Sequence, residues 1–168
     1  MVLVSLRYRF LQKIRAPARE AFRWCTDFAP SDGALFSEKT QRSVLRLTDD
    51  AVILEDFRSP KGSPLRIRRL VRMDPRTRSW TNTHLDGPFR HSQFWYRIVA
   101  DGPRACHLEF EGFHLMDVPK LPSAPEIRRR ARWLQTHDSA EWRNHLAPAL
   151  ESDLAGARRG RTGPSESR

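Results

Sequence analysis

The order of the predicted elements is the feature that most constrains how this chain of 168 residues can fold. An alternating strand that leads into an Ala-Pro helix start comes first, within Leu6–Asp27. Long alternating strands follow over Gln41–Met116, and one long amphipathic helix over Ala124–Leu154 comes last. A curved antiparallel sheet that grips a C-terminal helix encloses a cavity, and a cavity implies a ligand.

Turn residues divide the middle of the chain into segments whose apolar residues recur with a period of two. We predict six or seven strands in an antiparallel meander, because no helical pattern separates them. The predicted strands are Leu6–Ile14, Ser43–Leu47, Ala51–Phe57, Leu65–Met73, Ser79–Leu85, Phe89–Ala100 and Ala105–Met116.

Proline residues affect both the first and the last predicted helix. Ala16-Pro17 places a proline in a first helical turn, where its missing N–H is not needed. A short second helix is predicted around Gly33–Ser37. Pro148 interrupts the last helix, because an interior proline loses a hydrogen bond and clashes one turn back. We therefore predict a kink near Asn144–Pro148, or two abutting helices.

Composition indicates one globular domain. The hydrophobic fraction of 39% and the aromatic fraction of 10% are typical of a chain with a packed core. We predict an α+β domain over residues 1–155 and a disordered, basic tail over residues 156–168. No apolar run approaches the roughly 20 residues needed to span a bilayer. Val2–Val4 is too short for the core of a signal peptide, so we expect a cytoplasmic protein.

The net charge of +10 favours anionic partners such as nucleic acids. Arg66, Arg68 and Arg72 share one face of a predicted strand, and Arg128–Arg132 begins the last helix. One hypothesis is therefore a basic module that contacts RNA or a protein partner through its surface. The cations form no single dense block, however, which favours a solvated, arginine-rich exterior.

Two segments carry a resemblance to a known family. Ile14–Trp24, with Ala16-Pro17 and Phe22, is similar to an opening in which a strand is followed by the pattern I-x-A-P-x-E-x-V-W. Trp142–Glu151 is similar to that family's closing helix. Over Leu6 to Leu154 the chain resembles the START-like, or SRPBCC, helix-grip superfamily, which includes the polyketide cyclases.

This resemblance implies a fold and a kind of ligand. The fold is a curved antiparallel sheet of six to seven strands around a long C-terminal helix, with one or two short helices after the first strand. The ligand is a small hydrophobic molecule of the lipid, polyketide or quinone class, held between sheet and helix. Only some members of the superfamily catalyse reactions, so a cyclase-like enzyme is a further alternative.

The inward strand faces supply the candidate site. From composition alone these faces fit a packed core as well as a pocket, and the resemblance favours the pocket. Polar side chains on the same faces are expected to orient the ligand, because a buried amide or imidazole needs a partner. The predicted site consists of Tyr8, Phe10, Phe22, Ile67, Phe94, Tyr96, Phe110, Trp142 and Leu146, with the polar residues Asn82, His84 and His114.

Motifs for metal binding or covalent catalysis are not apparent. Cys25 and Cys106 have neither CxxC nor metal-ligand spacing, and no histidines cluster with a third ligand. The sequence has no strand-turn-helix serine motif. We therefore expect no metal and no cofactor, and we assign no catalytic residue. Acid or base chemistry by Glu109, Glu111 or Asp56 is left open.

Overall fold

A computed structural model describes residues 1–36, 40–59, 62–87 and 89–161, with side chains to residue 157. Its main element is a curved, seven-stranded antiparallel sheet that wraps a long C-terminal helix. In chain order the elements are β1 (Val2–Ile14), α1 (Ala18–Thr26), a 3₁₀ helix (Pro30–Leu35), β2 (Thr40–Thr48), β3 (Ala51–Arg58), β4 (Leu65–Asp74), β5 (Ser79–His84), β6 (Gln93–Gly102), β7 (Ala105–Val118), α2 (Ala124–Glu141), a π-helical turn (Trp142–Leu146) and α3 (Ala147–Arg161).

The strands follow the order β1-β7-β6-β5-β4-β3-β2. From β2 to β7 every strand pairs with its neighbour in the chain, so this part is a meander. β1 pairs with β7 instead, with Val2 opposite Val118, and it lies at the edge away from β2. α1 and the 3₁₀ helix connect these two edges. The predicted α+β class, the strand number and the short helix after the first strand are confirmed.

The inward faces predicted from the period of two are confirmed. Ile98 and Leu108 are fully buried, and Val71 is buried beside them on β4. These side chains form one core with α1 and the end of the C-terminal helix. Burying one such aliphatic side chain contributes roughly 1.5–3 kcal/mol, so this core holds both helices against the sheet.

The irregularity predicted near Pro148 is a π-helical turn over Trp142–Leu146, through which the helix continues. The N–H of Ala147 donates to the carbonyl oxygen of Trp142, five residues back. Because proline has no N–H and crowds the carbonyl one turn earlier, the helix widens before it and does not end. The widened turn contains Trp142, whose side chain is buried against the sheet.

The two halves of the C-terminal helix are held differently. α3 carries Ala147 and Leu150, both buried in the core. α2 has no buried residue, although the partly buried Leu134 packs against β1. Hydrogen bonds help to hold it, since Gln135 donates to the Arg9 carbonyl oxygen at 2.9 Å. Within the described ranges, no helix has the length and apolar character needed to cross a bilayer.

Several predicted element boundaries differ from the structure by a few residues. β6 begins at Gln93 and not at Phe89, because a tight turn with a φ of 68° at His91 precedes it. The short second helix is the 3₁₀ helix, which begins earlier than predicted, and Ser37 lies outside the described residues. Gly156, the predicted start of the disordered tail, lies within α3, since the neighbouring Ala and Arg residues are good helix formers. Residues 162–168 lie outside the described part.

Candidate functional site

A cavity of about 820 Å³ lies between the inner face of the sheet, the segment that follows α1, and α2. Sites for small organic ligands typically occupy roughly 300–1,000 Å³. Every predicted site residue except Phe10 and Phe22 lines the cavity, namely Tyr8, Ile67, Asn82, His84, Phe94, Tyr96, Phe110, His114, Trp142 and Leu146.

Aromatic rings from neighbouring strands form one wall of the cavity. Tyr96 stacks on Trp80 with the ring centroids 4.8 Å apart, and it meets Phe110 edge-on at 5.0 Å. Phe94 lies 6.1 Å from Phe110. These contacts arise because Tyr96 is directly opposite both Trp80 and Phe110 in the sheet. The wall is therefore apolar and fixed by strand register.

Phe10 and Phe22 do not line the cavity, but they pack against residues that do. Phe10 stacks on the Phe110 ring at 4.5 Å. Phe22 lies on α1 and contacts Trp80 at 6.2 Å. Both contact residues that line the cavity, so the sequence pattern identified inward side chains correctly but did not separate the lining residues from the residues packed against them. Ser92, also inward, bonds to the backbone N–H of Leu115 at 2.8 Å.

Tyr8 bridges the sheet and α2. Its hydroxyl donates to Oδ2 of Asp138 at 2.6 Å, across 130 residues of sequence. The ring fills space opposite Gly112, where an added Cβ would lie 2.7 Å from Cζ of Tyr8. Burial, and then the Asp138 carboxylate, raise the pKa of Tyr8 far above its ordinary value. The hydroxyl thus keeps its proton, and Tyr8 acts as a donor that joins helix to sheet.

Polar side chains in the cavity have unused hydrogen-bonding atoms. Oδ1 of Asn82, Nδ1 of His84 and Nδ1 of His114 are buried without a partner among the described atoms. Each of these residues is less than one-tenth exposed. Buried polar atoms in native proteins are nearly always paired, so these three atoms need partners that an ordered water or a ligand can supply. Nδ2 of Asn82 makes one long bond, of 3.5 Å, to the Tyr96 hydroxyl.

Both histidines are neutral at physiological pH. Burial, followed by the charge of Arg69, lowers the pKa of His84 from 6.5 to about 3. Burial also lowers the pKa of His114, and the charge of Asp138 opposes this shift. A neutral imidazole has one donor and one acceptor nitrogen. Each ring can therefore either donate to or accept from a ligand.

The buried state of His84 makes stability depend on pH. His84 takes up a proton near pH 6.5 in the unfolded chain but only near pH 3 in the folded protein. As the pH falls below 6.5, protonation therefore stabilises the unfolded state, and the free energy of unfolding decreases. Between pH 7 and pH 5 we expect this loss to be about 2 kcal/mol larger in the wild type than in His84→Gln. Urea unfolding at both pH values measures the difference. His91→Gln, at an exposed site, is the matched control, and an equal loss in all three proteins would contradict the prediction.

Sequence reasoning missed a buried ionic cluster at one end of the cavity. Asp56 accepts hydrogen bonds from Nε and Nη2 of Arg42, at 2.8 and 3.0 Å, and from Nη2 of Arg69. Arg58 approaches it to 3.9 Å. The sequence did indicate an inward position for Arg69, because this residue has the same parity along the strand as the inward residues Ile67 and Val71. Arg66 and Arg68 have the opposite parity, and Arg66 is exposed whereas Arg68 is half-buried.

The other polar sites in the described residues give no sign of a metal or ligand site. No group of three or more His, Cys, Asp or Glu side chains among them lies close enough to hold a metal ion. A second depression, of about 450 Å³, lies around Pro148. Its charged residues Arg15 and Glu151 bind each other at 2.8 Å, so they need no ligand.

Comparison with solved structures gives the fold. The Zhui aromatase/cyclase from a Streptomyces species superimposes with a TM-score of 0.73 at 12% identity, covering 96% of this chain and 100% of that one. Norcoclaurine synthase from Thalictrum flavum, in complex with dopamine and hydroxybenzaldehyde, gives 0.64 at 13% identity, covering 92% and 88%. A START superfamily protein from Mycobacterium smegmatis gives 0.62 at 16% identity, covering 90% and 98%.

These similarities extend over nearly the whole chain, so the protein has the START-like helix-grip fold. No protein-family model matches the sequence, and no curated protein does either. At identities of 12–16% the structural similarity establishes the fold alone.

Proposed function

We propose that this protein binds a small hydrophobic ligand, of the lipid, polyketide or quinone class, in the cavity between sheet and C-terminal helix. One observation carries the proposal. Every buried side-chain nitrogen or oxygen without a partner in the described residues belongs to a residue that lines the cavity: Arg58, Arg69, Asn82, His84 and His114. An ordinary packed core contains few buried polar atoms, and nearly all of them have hydrogen-bond partners within the protein.

The structural neighbours support the same kind of site. Norcoclaurine synthase holds two small aromatic molecules, dopamine and hydroxybenzaldehyde, on this fold. The cavity wall here, with Trp80, Phe94, Tyr96 and Phe110, offers ring faces and edges on which flat apolar molecules pack well.

The outer face gives less support to nucleic-acid binding. Arg66 bonds to the Glu55 carboxylate at 2.9 Å through its Nε. Arg68 lies 3.6 Å from Glu55 and 3.8 Å from Asp86. These arginines already have acidic partners within the protein, so a phosphate backbone would have to compete with them.

Native mass spectrometry tests the proposal directly. The purified protein should carry a co-purifying adduct of lipid size that disappears on denaturation. An empty protein that binds RNA in a salt-sensitive manner would overturn the proposal and favour the basic interaction module.

Variants then locate the bound molecule. Tyr96→Ala removes a central ring of the wall, and we expect about tenfold weaker retention because stacking and buried area are both lost. Tyr96→Phe keeps the ring and should retain the adduct, whereas Arg68→Ala changes only the outer face. If Arg68→Ala weakened retention more than Tyr96→Ala, the assigned face would be wrong.

A further inference from the structure

The arginine cluster in the cavity carries more positive than negative charge. Among the described residues, the guanidinium groups of Arg42, Arg58 and Arg69 all approach one carboxylate, that of Asp56. Asp32 adds a second carboxylate, 3.9 Å from Arg42. An excess of one positive charge remains within these five residues. Because a buried charge without a counter-charge is costly, a cluster that serves stability alone is expected to be balanced.

Two arginines of the cluster, Arg58 and Arg69, line the cavity and keep a side-chain nitrogen without a partner among the described atoms. Arg42 is already engaged within the protein, because its side chain is 4% exposed and it binds Asp56 through two nitrogens. Arg69 uses Nη2 on Asp56, but its Nε has no partner among the described atoms, and the same holds for Nε of Arg58. Guanidinium groups bind carboxylates and other oxyanions through paired N–H donors.

The surroundings of Arg69 fit the rest of such a ligand. His84 lies directly opposite Arg69 in the sheet, and its free Nδ1 can donate to an oxyanion. Asn82 follows on the same strand face, directly opposite Phe94. The aromatic wall therefore begins beside the charged end, so one molecule can contact both. Asp27, Asp138, Glu141 and Asp153 also line the cavity, so the positive excess belongs to the five-residue cluster, and a neutral ligand would leave the excess of that cluster uncompensated.

We propose that the cavity selects an amphipathic organic anion. Its carboxylate, or an equivalent singly charged oxyanion, binds Arg58 and Arg69 beside His84. Its apolar chain or ring packs against Phe94 and Tyr96. This inference rests on the proposed function and narrows its ligand class from hydrophobic molecules in general to hydrophobic acids.

A matched pair of fluorescent probes tests the charge requirement. Anilinonaphthalene sulfonate and N-phenylnaphthylamine share an aromatic body, but only the first carries an oxyanion. The wild type should bind the sulfonate about tenfold more tightly than the neutral amine. Laurate should likewise displace N-phenylnaphthylamine at about tenfold lower concentration than dodecanol, which extends the result to a carboxylate.

Variants locate the effect. Arg69→Met should remove about tenfold of the sulfonate's advantage over the amine. Arg58→Met should act in the same direction with less risk to folding, because Arg58 is 3.9 Å from Asp56. Arg68→Met, on the outer face of the same strand as Arg69, is the control for surface binding and should change neither probe.

The outcomes separate the two proposals. If neither probe binds, the cavity is not a ligand site and the proposed function fails as well. If N-phenylnaphthylamine binds but the sulfonate has no advantage, or if its advantage survives Arg58→Met and folded Arg69→Met, the anion inference fails while the ligand site stands. If Arg68→Met removes the advantage, the sulfonate is bound outside the cavity and the inference is again overturned.

Discussion

Replacing Asp56 with asparagine is expected to lower the free energy of unfolding by about 3–5 kcal/mol, because it removes the carboxylate from a buried ionic cluster. The Asp56 side chain is fully buried and receives hydrogen bonds from Arg42 and Arg69. Burial alone would raise its pKa, but those bonds and the charges of Arg42, Arg69 and Arg58 lower it overall. The carboxylate is therefore ionised at neutral pH, and the variant leaves the arginines without it.

Glu55→Gln is the matched control, because it removes the neighbouring carboxylate on the opposite face. Glu55 pairs with Arg66, whose side chain is about half exposed at 53%. Exposed ion pairs contribute about 0–1 kcal/mol, so the control should remain close to the wild type. Urea unfolding of both variants measures the contrast. Equal losses in the two variants would show that the cluster around Asp56 is not a buried, coupled unit.

The second large effect is expected at Leu150. Its side chain is fully buried in the core that holds α3 to the sheet. Leu150→Ala should cost about 2–5 kcal/mol, since it removes three buried carbon atoms and leaves a cavity. Chemical denaturation monitored by tryptophan fluorescence gives the loss, and Trp142, buried in the same core, provides a local signal.

The same substitution at Leu134 provides the comparison. Leu134 lies on α2, which has no fully buried residue, and it borders the cavity. Removing atoms from a side chain that already borders open space creates less new cavity, so Leu134→Ala should cost clearly less than Leu150→Ala. Similar costs at both positions would show that the two halves of the C-terminal helix are held equally.

Much of the fold was predictable because its signals are local. The period of two assigned Phe94, Tyr96 and Phe110 to one face of the sheet, and the structure places all three on the cavity wall. Pro148 predicted the helix irregularity, because the effect of proline extends only one turn. These signals depend on neighbouring residues alone, so a single sequence carries them.

The polar features of the site could not be predicted in the same way. Tyr8 and Asp138 meet across 130 residues, and nothing local to either residue indicates the other. Arg69 has inward parity, yet an arginine is ordinarily assigned to the surface, because burying it requires a partner on another strand. The segment that follows α1 also borders the cavity through Phe28 and Phe36, but it has no periodicity to reveal this.

The pairing of β1 with β7 sets the order in which the binding site can be assembled. Tyr8 lies on β1, which is synthesised before the other six strands, but this strand has no partner until β7, ending at Val118, has been synthesised. The meander can form earlier through hairpins between successive strands, whereas β1 must close a loop that contains the whole meander. Asp138 arrives later still. The residues needed for the sheet are therefore all synthesised before the residues of α2 that border the cavity.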